Sequence, residues 1–272
     1  MTWRSSAIAA LLLLTMSRPA DSGASPTALT LVPGILRIGT YFVNPPFEYI
    51  FRGKRIGFEV DLIKEIAHRL QLKPLFVNTQ WEIILQQMQD GRYDCIIGGI
   101  TITPARQAAL ARSDPYMTTT LSLVINSTKT PQIRSLADLK DATVGVQAAT
   151  TDYDVAIAMQ RRGQIGKVKV YPFDHIADAM TDLAAGRITA VMKVYPVAAW
   201  LARQTHGLRI VAQLPDDPQP LGIGSTRTVP CLWRRSTGCC PRSNKTEPIR
   251  SSRTNGASPN AGARSDQGQP SG

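Results

Sequence analysis

Short apolar runs and amphipathic stripes alternate through the middle of this 272-residue chain. Leu36–Thr40, Leu75–Val77, Cys95–Gly98, Ser122–Asn126, Thr143–Val146, Val168–Tyr171, Ala190–Met192 and Leu208–Ala212 read as strands. Between the first two, Leu62, Ile63, Ile66, Ala67 and Leu70 fall on one stripe, which predicts an amphipathic helix over Phe58–Leu70. Glu65 and Arg69 form a favourable pair four residues apart on its other face. Asp174 is the expected N-cap of a helix over Ile176–Ala185, and Gly186 its stop. Ser135 and Asp138 have the spacing of a capping box that opens a short helix. Alternating strands and helices predict an α/β fold, and no internal repeat is evident.

One stretch of that pattern carries chemistry. Gly98-Gly99 ends an apolar run, where a backbone must come close to something. Thr101 and Thr103 follow with hydroxyls and amides, then Pro104, a favoured first helical residue, and Arg106 within one turn. A strand end, open amides, a helix start and a guanidinium fork together suit a small carboxylate. On these residues alone, a plain strand-turn-helix with a solvated Arg is the simpler reading of the segment.

The two ends of the chain differ from its middle. Arg4, the apolar run Ala7–Met16 and small residues ending at Ala20 or Ala24 have the form of a secretory signal over residues 1–24. The run is too short to span a bilayer, so an exported, soluble mature chain is expected. The formal charge of +11 is concentrated at the other end: residues 225–272 hold eight Lys/Arg and two acids, which supply six of those charges. Cys95 lies in an apolar strand and reads as a small buried hydrophobe, while Cys231, Cys239 and Cys240 lie in the tail without metal-site spacing. The residues offer no metal site, no phosphate loop, no cofactor motif and no nucleophile–base pair.

The surrounding motifs resemble one family, the periplasmic solute-binding proteins of ABC importers, polar amino-acid-binding (family 3) type. They run in family order: Leu36-Arg-Ile-Gly-Thr40, Pro45-Pro-Phe-Glu-Tyr49, Gly57-Phe-Glu-Val-Asp-Leu62, Trp81, Gly91-Arg-Tyr-Asp94, the Gly98–Arg106 segment, Ser113-Asp-Pro-Tyr116, Ser135-Leu-Ala-Asp-Leu-Lys140, Val144-Gly-Val-Gln147 with Thr150-Thr151, Ala185-Gly-Arg187 and Pro196-Val-Ala-Ala199. The likeness spans about residues 34–224. It implies a two-lobed type II binding-protein fold with a ligand cleft and two crossovers. Lobe I would comprise 34–124 and a return at 215–224, and lobe II 125–214. It further implies a periplasmic monomer that binds a small amino acid or related carboxylate for an inner-membrane ABC permease. It implies no catalytic residues and no nucleic-acid partner.

Carried over residue by residue, the likeness makes Arg106 the grip on a ligand's α-carboxylate. Gly99 and Thr101 would donate to the ligand, Trp81 would cover it, and Thr150 and Thr151 would complete the carboxylate clamp or simply cap a helix. Asn44 stands where an aromatic is common. One departure matters: the acid that pairs with a ligand's α-ammonium is replaced by Val194, beside Lys193, and Thr189 stands where Asp is also frequent. An amine-free carboxylate, or a dicarboxylate met by Lys193, gains weight. In the plainer alternative Lys193 faces solvent, and Asp114 or Asp152 serves the ammonium. Tyr41 at the position of an acid that contacts basic ligands argues against lysine or arginine. Cyclohexadienyl dehydratases resemble the same family, which leaves an enzyme of that kind, acting on prephenate or arogenate, or a non-functional truncated product, as the alternative.

After Gly224 the composition changes abruptly to a basic, Ser/Gly/Pro-rich stretch with four large apolar residues, Val229, Leu232, Trp233 and Ile249, which reads as a disordered tail. Restoring one nucleotide near codon 225 permits family-like residues in order: Phe-Asn-Lys-Asp over 225–228, an Ala pair after Leu232, Gln-Asp-Gly-Thr-Tyr over 244–249 and Lys-Trp over 254–256. The tail is therefore expected to be out of frame, which removes its basic charge as an argument for nucleic-acid binding.

Overall fold

The computed structural model describes residues 30–225; the signal-like N-terminus and the basic tail lie outside the described residues. In chain order the strands are β1 (Ile35–Thr40), β2 (Val43–Asn44), β3 (Glu48–Phe51), β4 (Lys54–Ile56), β5 (Lys73–Asn78), β6 (Cys95–Ile96), β7 (Ala111–Arg112), β8 (Met117–Asn126), β9 (Thr143–Gln147), β10 (Lys167–Tyr171), β11 (Ala190–Val194), β12 (Leu208–Leu221) and β13 (Gly224–Ser225). The α-helices are α1 (Phe58–Arg69), α2 (Trp81–Gln89), α3 (Pro104–Ala109), α4 (Thr151–Arg161), α5 (Ile176–Ala185) and α6 (Tyr195–Gln204).

The first sheet has the order β5-β1-β6-β13-β7, with β1 parallel to both β5 and β6. Leu36 and Ile38 of β1 are fully buried against Ile63 and Ala67 of α1 and against Cys95 and Ile97. The helical stripe read from the sequence is the face that packs there, and Glu65 meets Arg69 at 2.7 Å on the outer face. Cys95 is a buried free thiol. The strand that contains it ends at Ile96, before the expected Gly98.

The second sheet has the order β10-β9-β11-β8-β12 and is covered on both faces. Leu121, Leu123 and Ile125 of β8 join Val144, Val146 and Met192 on one side. Val124 and Val191 face Tyr171, Ala179 and Leu183 on the other. All five residues of β11 are buried, as expected of a strand with both faces covered. Three expectations change here. β8 begins at Met117, and its ladder with β12 runs to the pairing Met117↔Leu221. Residues 117–124 and 215–221 therefore belong to the second sheet, and the chain crosses between sheets at about 113–116 and 222–223. The polar run Thr118–Thr120 hid this extension, because ladder hydrogen bonds carry the strand past its apolar part. Asp174 is not the N-cap of α5: a 3-10 turn over Phe173–His175 intervenes, and His175 takes the cap position without a side-chain bond to the helix backbone. Gly186 does stop α5, in the left-handed region at φ 75°, and Ser135 with Asp138 does form a capping box. A small third sheet, β2-β3-β4, was not anticipated.

Candidate functional site

The two sheets flank a cleft, partly open to solvent, with about 330 Å³ of empty space inside and at its mouth. Asn44, Trp81, Gly99, Thr101, Arg106, Thr150, Thr151 and Lys193 all line it, together with Tyr41, Gly98, Asp152, Phe173 and Val194. The eight residues singled out from the sequence are thus brought to one place.

Local structure sets Arg106. Thr103 caps α3 by accepting from the Arg106 amide at 3.2 Å, and Pro104 begins the helix, so Arg106 stands in its first turn, beyond the end of β6. Its Nη1 donates to the Thr101 carbonyl at 3.1 Å, and Nη2 to the Ala149 carbonyl at 3.4 Å. The guanidinium lies over the Trp81 ring at 5.0 Å. Burial is the main influence that lowers its pKa from the ordinary arginine value. Trp81, first residue of α2 and nearly fully buried, donates its own Nε1 to the same Ala149 carbonyl at 3.0 Å. Ala149 adopts φ 60°, the left-handed region that a non-glycine residue enters at a cost. In the same turn, the Thr150 hydroxyl donates to the Gln147 carbonyl at 2.7 Å and accepts from the Tyr153 amide at 3.3 Å. The Thr150 hydroxyl is therefore engaged as the N-cap of α4.

Gly98-Gly99 does mark a close approach, and the partner is the Tyr41 ring. A Cβ on Gly98, at φ 156°, would stand 2.7 Å from Tyr41 Cε1, Cζ and the phenolic oxygen. The Tyr41 hydroxyl donates to the Gly98 carbonyl, and burial raises its pKa well above the usual phenol value. Gly99's amide is not open: it donates to Glu59 Oε1 at 2.8 Å. Nor is the Thr101 hydroxyl proton free. Gln219 Oε1 accepts from Thr101 at 3.1 Å and from Thr151 at 2.8 Å, while its Nε2 donates to the Asp217 carbonyl. Gln219 was not foreseen, because it lies in the extension of β12 that sequence pattern did not reveal.

Lys193 does not point to solvent. Its Nζ lies 3.4 Å from Asp152 Oδ1, and both side chains are at least 95 % buried. Asp152, in the first turn of α4, is the carboxylate of the cavity wall, whereas Asp114 is exposed and does not line it. Phe173 stacks on Trp81 with centroids 5.1 Å apart and meets Tyr41 edge-on at 4.6 Å. These contacts, with Trp81 and Arg106 on Ala149 and Thr101 within 3.5 Å of Thr151, join the two halves across the cavity. The arrangement can hold a small anion in a desolvated, aromatic-walled space.

The model of the bacterial extracellular solute-binding proteins, family 3, matches residues 36–206. ABC transporter arginine-binding protein 1 of Escherichia coli (strain K12) is 27% identical over 190 residues, covering 70% of this chain and 75% of that protein. The histidine-binding periplasmic protein of the same organism is 29% identical over 185 residues, covering 67% of this chain and 69% of that protein. Among solved structures, an ancestral arginine-binding protein bound to arginine superposes with TM-score 0.68 at 32% identity, covering 76% of this chain and 90% of that one. The ancestral amino acid-binding protein AncCDT-1, a precursor of cyclohexadienyl dehydratase, gives TM-score 0.65 at 31% identity, covering 76% and 87%. The two-sheet architecture, the cavity between the sheets and the family match over most of the described residues agree, and the chain belongs to the bacterial extracellular solute-binding proteins, family 3.

Proposed function

We propose that this chain is the extracytoplasmic solute-binding component of an ABC importer. It captures a small amino acid or related carboxylate between two lobes and presents it, as a periplasmic protein, to a permease in the inner membrane. The observation that carries this reading is the state of Arg106. Two carbonyls and the Trp81 face hold its guanidinium in place. No ion pair with a carboxylate is formed by it among the described residues. A fork held in that way on a cavity wall is positioned for an incoming carboxylate. Binding without chemistry fits the lining better than the dehydratase reading, because the wall's carboxylate, Asp152, is engaged by Lys193.

The test is calorimetric titration of the full chain with amino acids and organic acids. Arg106→Ala should lose about 2–5 kcal/mol of binding free energy for any ligand that the parent protein takes. Affinity retained within about threefold would remove Arg106 from the site.

A further inference from the structure

We infer that the cleft selects a small organic acid that lacks an ammonium group; the inference rests on the solute-binding reading and names its ligand class. The wall carries two cations, Arg106 and Lys193, against one carboxylate, Asp152. That carboxylate is already paired with Lys193 at 3.4 Å, both groups being buried. Three carbonyls at the cavity are also engaged: that of Gly98 by Tyr41, that of Thr101 by Arg106, and that of Ala149 by Trp81 and Arg106. Val194 next to Lys193 is apolar and nearly fully buried.

A ligand ammonium would have to displace Lys193 from Asp152 or remain buried without an anion, and an unpaired buried charge is strongly disfavoured. A basic ligand such as arginine would add a second positive charge to a wall already in excess by one. An amine-free carboxylate reverses the balance: its charge offsets the excess, Arg106 supplies a planar fork, and Lys193 attracts a second carboxylate where there is one.

Calorimetry on the unmodified full chain tests this with matched pairs: pyruvate and L-alanine, succinate and L-aspartate, 2-oxoglutarate and L-glutamate, with L-arginine alongside. The amine-free member of any pair that binds should bind about tenfold or more tightly than its amino partner, and L-arginine should give no binding heat. Val194→Asp should shift that ratio toward the amino partner by a similar factor. An amino acid that matches or exceeds its amine-free partner, or L-arginine binding, overturns the inference. If that binding is abolished by Arg106→Ala, the solute-binding reading still stands. Silence from every compound overturns both readings. A folded Val194→Asp variant with an unchanged ratio overturns the electrostatic argument, and if that variant fails to fold, the matched pairs decide alone.

Discussion

Replacing Glu48 by Gln removes one of two carboxyls buried beneath the cleft floor, and should flatten the dependence of folding on pH. Glu48 and Glu59 are both fully buried. Glu59 Oε1 accepts from the Gly99 amide and the Tyr116 hydroxyl, whereas no well-aligned bond reaches its Oε2 or either oxygen of Glu48, whose polar neighbours are the Glu59 carboxyl and Asn44. Burial, above all, raises the pKa of both above the ordinary 4.5, and for Glu48 the neighbouring Glu59 charge adds to it. The folded pair therefore keeps a proton that the unfolded chain releases near pH 4.5. With more protons bound in the folded state, stability falls as pH rises, from the unfolded value up through the raised folded one. While the folded pair holds that proton, each pH unit removes about 1.4 kcal/mol, which is appreciable against a total of roughly 5–15 kcal/mol. In the Gln variant an amide donor can meet the orphaned oxygen of Glu59, and one titrating group is gone. Urea denaturation of both proteins from about pH 5 to about pH 8 measures the effect as a difference, which cancels every other titrating group. The variant should gain on the parent protein as pH rises, and the curves should converge toward the acid end. Parallel curves, or a parent protein that gains on the variant with rising pH, would refute the assignment of a shared buried proton.

Two further substitutions probe other parts of the argument. Gly98→Ala should lower the urea midpoint at unchanged slope by about 1–3 kcal/mol, because its Cβ would stand 2.7 Å from a Tyr41 ring whose hydroxyl is itself tied to residue 98; an unchanged midpoint would show that the ring yields freely. Asp182 should behave in the opposite sense to the Glu pair, since Lys169, Tyr171 and Arg187 hold its carboxyl well below the usual range. Its contribution is present above the unfolded value of 3.8 and is lost as pH falls toward the depressed one, so the stability gap between the parent protein and Asp182→Asn should narrow only below about pH 4; a gap that persists undiminished into strong acid would assign the effect to packing instead.

What the sequence revealed follows the range of the forces that it encodes. The α1 stripe, the Ser135–Asp138 capping box, the Gly186 stop and the Thr103–Pro104 start of α3 each involve residues within a turn or two, so spacing alone exposes them. Gathering Arg106, Trp81 and Thr151 in one place rests on contacts across many residues, and only the family likeness brought them together in advance. Where neither local pattern nor likeness reached, the reading missed. The Lys193–Asp152 pair spans 41 positions and leaves no periodicity behind. Phe173 reaches the cavity from a 3-10 turn that the expected Asp174 cap did not allow for. The strands β2, β3 and β4 are two to four residues long, too short to imprint an alternation.

Side chains that join the two halves of the molecule also line the cavity. Trp81 Nε1 and Arg106 Nη2, both on the first sheet's side, donate to the carbonyl of Ala149 on the second's. That carbonyl is presented by a left-handed alanine, a conformation that costs about 1–2 kcal/mol, and Thr150 fixes the turn beside it through Gln147 and Tyr153. The strained residue thus stands where the two halves meet, and its acceptor serves two donors of the cavity wall at once. Arg106 spends one face on Trp81 and single hydrogens on Thr101 and Ala149, which leaves the rest of its five-donor fork for a carboxylate. In the solute-binding reading, a carboxylate on those remaining hydrogens would fix the guanidinium further, and with it the bond that joins the two halves at Ala149.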